Sequence, residues 1–135
     1  MNGNIGILDW WLQSDLEIIY DWRAISSAII NGHMHILDWW LKSGLEMKYN
    51  EDSINYASKY GHIDILDWWK NSEFEPKYDQ KAIHSACAKG NVDVLNWWKK
   101  SGLELKYDPI AIKQMIPHKF KSKILDWWKS SDIEF

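Results

Sequence analysis

The chain of 135 residues has the length of a single domain, and its 26% charged and 46% apolar residues suit a soluble globular protein. The net charge of −3 argues against nucleic acid as the main partner, because phosphate binding depends on clusters of Lys and Arg. A single Cys excludes an internal disulfide framework, and no apolar run approaches the roughly 18 residues that cross a membrane. These features predict an intracellular, cytoplasmic protein with no membrane association.

One phrase recurs along the chain: Leu, then an acid or amide, then two Trp, at spacings of 29, 29, 29 and 30 residues. A period of this size is typical of proteins built from stacked repeats. We therefore predict one repeat domain over 1–135, in which a half repeat (1–20) precedes three full repeats (21–49, 50–78 and 79–107) and a divergent C-terminal repeat (108–135).

Each full repeat begins with a short first helix, predicted at 24–31, 53–60 and 82–89, with an equivalent at 111–116. Residues of strong N-cap type stand just before these helices, at Asp21, Asn50, Asp79 and Asp108. A glycine typical of the left-handed turn after a helix follows the three full first helices, at Gly32, Gly61 and Gly90. Small residues recur inside the first helices and are assigned to the structural core: Ala28, Ala57 and Ala86.

A second helix follows each glycine and carries the Trp pair, and further copies are predicted at 4–12 and 121–131. At about 100° per residue, Leu66 and Trp69 share an apolar stripe, Trp68 lies at its margin, and Asp67 lies on the opposite side. We therefore expect the first Trp of a pair to reach the adjacent repeat and the acid before it to form a solvated face. The second Trp of each pair is assigned to the structural core, at Trp11, Trp40, Trp69, Trp98 and Trp128.

The stretch from Ala82 to Leu95, with His84, Ala86, Gly90-Asn91 and the acid-Val second helix, resembles the ankyrin repeat. Gly32-His33 and Gly61-His62 match the same junction between helices, and the Trp pairs stand where that family usually has paired Leu. Short repeats with an Asp-Trp-Trp second helix look like those of large families in giant viruses and microbial eukaryotes. If the protein is viral, its compartment is the cytoplasm of the host cell.

The resemblance implies an all-α helix–turn–helix solenoid with a period of 29–30 residues. Because the usual ankyrin repeat has about 33 residues, we expect the β-hairpins between repeats to be absent or trimmed to turns. The resemblance also implies a protein–protein interaction module, not an enzyme, that binds a partner through a concave surface lined by first helices. The alternative is a fragment of a longer repeat array with a purely structural role.

Solvent-facing positions of the first helices differ in size and charge between repeats, whereas core positions repeat closely. The partner-binding residues predicted on this ground are Trp22, Arg23, Asn31, Glu51, Asp52, Lys59, Tyr60, Gln80, Lys81 and Lys89. Trp22, Arg23 and Tyr60 are favoured, because Trp, Tyr and Arg dominate interface hot spots. Alternatively, Trp22 only covers the apolar N-terminal helix, whose uncapped end also offers a surface for self-association.

His84 and Cys87 lie three residues apart on a predicted helix, a spacing that permits a shared metal or a Cys–His pair. Two ligands are half of a zinc site, so the favoured interpretation is structural for both residues. No phosphate loop, nucleophile elbow or zinc signature is present, and no catalytic residue, metal or cofactor is predicted. The basic residues near the C-terminus form only a local stripe, too small for nucleic-acid binding: Lys113, Lys119, Lys121 and Lys123.

Overall fold

The computed structural model describes residues 5–14 and 20–135. This part of the chain forms nine α-helices and one short 3₁₀ helix and contains no strand, which confirms the predicted all-α repeat solenoid. The helices are α1 (Ile5–Gln13), α2 (Trp22–Ile30), α3 (Met34–Ser43), α4 (Glu51–Lys59), α5 (Ile63–Asn71), α6 (Lys81–Ala88), α7 (Val92–Ser101), α8 (Pro109–Met115) and α9 (Lys121–Ser130), with the 3₁₀ helix (His118–Phe120) before α9. The predicted half repeat at 1–20 includes residues 1–4 and 15–19, which lie outside the described residues.

Side-chain caps start the first helices, as the sequence predicts. The carboxylate of Asp21 accepts the Arg23 backbone N–H at 2.9 Å, and the Asn50 side chain accepts that of Asp52 at 3.0 Å. Because the cap directly precedes the helix, α2 and α4 begin two residues earlier than predicted. Four predicted binding residues therefore lie in first turns of helices: Trp22, Arg23, Glu51 and Asp52.

Glycines in the left-handed conformation connect the two helices of each full repeat, with φ of +71° at Gly32 and Gly61 and +64° at Gly90. The tightest of these positions is Gly90, where an added Cβ would lie 2.6 Å from the Phe120 ring. Glycine is required there both by its backbone conformation and by the aromatic side chain that rests on it. This contact seats the C-terminal repeat against the one before it.

The helices form two layers. The first helices α2, α4, α6 and α8 pack on one another in sequence order, and α2, α4 and α6 also pack on the second helices α3, α5 and α7 of their own repeats. The predicted core alanines Ala28, Ala57 and Ala86 are completely buried. Their small side chains let neighbouring helices approach closely, so the first helices form a continuous layer.

The second Trp of a pair fills the space between the layers at four of the five pairs: Trp40, Trp69, Trp98 and Trp128 are at most 2% exposed. Each packs against the Tyr that ends the preceding repeat; the ring centroids of Tyr49 and Trp69, for example, are 4.8 Å apart. Burial of one Trp removes roughly 200 Å² from water, an upper contribution of about 5 kcal/mol to stability.

Trp11 departs from this pattern. It was predicted as a core residue, but it is 39% exposed, so that assignment is wrong. Within the described residues, α3 is the helix that packs against α1, and no first helix covers α1 as α2 covers α3. Sequence periodicity fixes the face on which a side chain lies, but it does not show whether a neighbouring helix covers that face.

Candidate functional site

The first Trp of each later pair ties its repeat to the preceding repeat. Its indole N–H donates a hydrogen bond to the acid or amide just before the previous Trp pair. The four bonds are Trp39 to Asp9 (2.5 Å), Trp68 to Asp38 (3.0 Å), Trp97 to Asp67 (2.7 Å) and Trp127 to Asn96 (2.8 Å). We call this series the Trp–acid ladder. The predicted reach of the first Trp is confirmed, whereas the interpretation of the acids as only a solvated face missed their role as acceptors.

A second series of contacts joins the loops of neighbouring repeats. The Tyr49 hydroxyl donates to the Glu75 carbonyl oxygen at 2.7 Å, and Lys77 Nζ lies 4.7 Å from the centre of the Tyr49 ring. Tyr20 and Tyr78 make the same contacts with the loops that follow them. Burial, and next the charge of the facing glutamate, raises the pKa of all three phenols, which therefore remain protonated donors. Neighbouring repeats are thus connected both through their second helices and through their loops.

The contacts and burial of His84 and Cys87 agree with structural roles for both side chains. His84 Nε2 accepts the backbone N–H of Asp108 at 3.0 Å, so this side chain connects α6 to the start of the next repeat. Burial lowers the pKa of His84, with a partial offset from the carboxylates of Asp108 and Asp79. Cys87 is fully buried, and burial raises the pKa of its thiol to about 11. A protonated, enclosed thiol is neither a ready nucleophile nor a metal ligand.

No set of three or more His, Cys, Asp or Glu side chains converges on a point within residues 5–14 and 20–135. Across the same residues, no helix has the length and apolar character needed to cross a membrane.

None of the ten predicted partner-binding residues is buried. Trp22, Asp52 and Lys59 are half-buried, and the exposed ones are Arg23, Asn31, Glu51, Tyr60, Gln80, Lys81 and Lys89. The Arg23 guanidinium lies 5.8 Å from the centre of the Trp22 ring and forms an ion pair of 3.7 Å with Asp21. This pair on α2 lies apart from the hollows formed farther along the layer.

The structure brings several predicted residues together in two hollows: one lies where first helices end and second helices begin, and the other lies between the first helices α4 and α6. The larger, of about 570 Å³, is lined by Lys59, Tyr60, Lys89, Gly90, Asn91, Val92, Asp93 and Lys123. We call it the basic cleft. The smaller, of about 240 Å³, is lined by Asp52, Asn55, Tyr56, Lys59, Lys81 and Ser85. Lys123 was not among the predicted binding residues, because its approach depends on the seating of Phe120 on Gly90.

Residues 54–97 match the family model described as ankyrin repeats (many copies). This segment is an ankyrin-repeat segment. It extends from α4 to α7 and includes the whole of α5 and α6, which are helices of two neighbouring repeats. Ankyrin repeats are in general protein–protein interaction modules and typically not enzymes. Comparisons with curated proteins and with solved structures found no match.

Proposed function

We propose that the chain binds a protein partner through the exposed side of its first helices α2, α4, α6 and α8 (the first-helix surface). Three observations support this proposal. Residues 54–97 are ankyrin repeats, whose general role is protein binding. The predicted binding residues are all accessible. Lys59, Tyr60 and Lys89, which come from adjacent repeats, line one cleft, and this convergence is the observation on which the proposal most depends.

The arrangement suits a rigid recognition surface. Tyr60 is 41% exposed, with Lys89 Nζ 4.8 Å and Lys59 Nζ 5.4 Å from the centre of its ring. An accessible aromatic ring with cations around it offers both apolar contact and charge, the combination typical of interface hot spots. Because the ladder and the loop contacts hold the repeats in register, little ordering is required when a partner binds.

The test compares surface variants for retention of a partner from the source cell. One variant combines Trp22→Ala with Arg23→Ala, a second combines Asp52→Ala with Lys81→Ala, and a third combines Tyr60→Ala with Lys89→Ala in the cleft. The control combines Lys70→Ala with Lys99→Ala, which lie exposed on the second helices α5 and α7. We expect the control to retain the protein that the original chain captures, and at least one surface variant to lose it without unfolding by circular dichroism. Equal retention by the control and by the three surface variants would refute binding through the first-helix surface.

As a second candidate we propose head-to-tail association of copies of the chain, the possibility predicted for the uncapped N-terminal end. The first Trp of α1, Trp10, is 60% exposed, and the acid of the last phrase, Asp126, is also exposed. Within residues 5–14 and 20–135, neither makes the Trp–acid bond formed at the four internal junctions. Trp10 of one copy and Asp126 of another have the donor and the acceptor needed for one more hydrogen bond of the Trp–acid ladder.

Complementation tests this candidate sharply. Trp10→Ala blocks the donor end and Asp126→Ala blocks the acceptor end, so we expect each variant alone to sediment as a monomer. A mixture of the two variants retains one intact end of each kind and should form a dimer that stops there. A monomeric original chain, or a mixture that stays monomeric, would exclude this association. A monomeric chain also accords with the alternative of a fragment of a longer array, whose neighbouring repeats would cover the same ends.

A further inference from the structure

We propose that the basic cleft binds an acidic peptide segment of the protein partner, through contacts between its carboxylates and three lysines. This inference rests on the proposed protein-binding function and adds the chemistry of the bound segment. Three consecutive repeats each contribute one of the lysines: Lys59 at the end of α4, Lys89 after α6 and Lys123 in α9. A segment that crosses the repeats would meet the three ammonium groups in turn.

The charge of the basic cleft is not neutralised within the protein. The single acid in its lining is Asp93. In the part of the chain that the structure describes, the one ion pair within 4.0 Å joins Arg23 to Asp21, so no carboxylate pairs with the three lysines. The chain as a whole carries a net charge of −3, so the excess of positive charge at the cleft is local.

The cleft has further features that suit carboxylates on an extended backbone. Tyr60 provides an exposed ring close to the ammonium groups of both Lys59 and Lys89. Asn91 caps the start of α7, where its side chain accepts the Val94 N–H at 3.2 Å, and the positive end of the α7 dipole faces the cleft. A volume of about 570 Å³ is within the range of ligand sites and accommodates a few residues of peptide.

The third lysine reaches the cleft because of a specific packing contact. Phe120 lies against Gly90, where a Cβ would meet the ring at 2.6 Å, and α9 begins at the next residue. Lys123 Nζ lies 6.0 Å from the centre of the Phe120 ring, so the aromatic side chain also supports the lysine stem. The C-terminal repeat therefore completes a site that the ankyrin segment at 54–97 only begins.

The experiment measures binding of defined probes to the full chain by fluorescence anisotropy at about 0.15 M salt. The main probe is a fluorescein-labelled peptide in which six glutamates alternate with serines. Two further probes serve as controls. In one, glutamine replaces every glutamate of the peptide, and the other is single-stranded DNA of similar length. The variant K59Q/K89Q/K123Q removes the three cleft charges. The control K42Q/K70Q/K99Q removes three charges from exposed positions on second helices, so its net charge is the same.

We expect the glutamate peptide to bind, the glutamine peptide not to bind, and the cleft variant to weaken binding about tenfold, since three exposed ion pairs contribute about 0.5 kcal/mol each. The control variant should bind within about twofold of the original chain. No binding of the glutamate peptide, or equal losses in the two variants, would overturn the proposal. DNA binding that is at least as tight and equally sensitive to the cleft variant would replace it with a nucleic-acid site.

Failure here is distinguishable from failure of the proposed function. In one outcome, the variant K59Q/K89Q/K123Q still captures the partner while the variant with Trp22→Ala and Arg23→Ala does not. That result would support protein binding through the first-helix surface and would refute the acidic segment. If no surface variant affects capture, the first-helix surface itself is refuted.

Discussion

The bond from Trp68 to Asp38 offers the sharpest test of how the repeats are joined. Trp68→Phe removes the indole N–H but retains an aromatic ring, and Asp38→Ala removes the acceptor. Asp38→Asn retains a carbonyl oxygen, which is the acceptor that Asn96 naturally provides to Trp127 at 2.8 Å. These changes separate the hydrogen bond from the charge and from the packing of the ring.

The expected magnitudes follow from the geometry. A hydrogen bond to a charged group contributes about 1.5–3 kcal/mol, and both partners here are half-buried, so we expect about 1–2 kcal/mol. Trp68→Phe and Asp38→Ala should each lower the free energy of unfolding by about that amount. Asp38→Asn should cost about half as much, because the acceptor remains but the bond is no longer charge-assisted. The double variant Trp68→Phe, Asp38→Ala should cost little more than the larger single change, because both remove the same bond.

The assay is urea unfolding monitored by circular dichroism and by Trp fluorescence, with coincidence of the two transitions as the check on two-state behaviour. Strictly additive losses in the double variant would show that the two side chains do not interact. A loss for Asp38→Asn as large as that for Asp38→Ala would show that charge, and not the hydrogen bond, is responsible.

Other positions give equally definite expectations. Trp69→Ala should cost about 3–5 kcal/mol in the same urea assay, because the ring is almost fully buried; a loss below about 1 kcal/mol would contradict its core role. Gly90→Ala should destabilise the chain markedly more than a typical exposed Gly→Ala change, because the methyl group meets Phe120 and φ is +64°; unchanged stability would refute that contact. Burial lowers the pKa of His84 in the folded chain, so as the pH falls the imidazole is protonated in the unfolded chain before it is protonated in the folded chain. The free energy of unfolding should therefore decrease as the pH drops below about 6.5. His84→Asn, which imitates Asn55 at the equivalent position, should keep the bridge at neutral pH and reduce that pH dependence; an unchanged pH profile would show that His84 is not its source.

Much of the fold was predictable because it depends on local chemistry. The N-cap residues Asp21 and Asn50, the glycine turns and the helical stripe of Leu66 and Trp69 each act within a few residues of sequence, where spacing is informative. The different roles of Trp68 and Trp69 also follow from the angle between neighbouring side chains on a helix.

Contacts between repeats were less accessible to sequence reasoning. The acid before each Trp pair was visible, but its acceptor role depends on a donor about 30 residues away and on the offset between helices. Likewise, Lys123 joins Lys59 and Lys89 only because Phe120 rests on Gly90. Trp11 failed as a core prediction because burial requires a neighbouring helix as well as an apolar face.

Hydrogen exchange of the indole N–H groups, followed by ¹H–¹⁵N NMR, tests most directly whether the Trp–acid ladder joins the repeats. Trp10, which is 60% exposed, is the internal reference for an open indole. We expect the four ladder indoles, those of Trp39, Trp68, Trp97 and Trp127, to exchange much more slowly than that of Trp10, because each donates to the preceding repeat. Exchange of these four groups as fast as that of Trp10 would contradict a stack of repeats held together by Trp pairs.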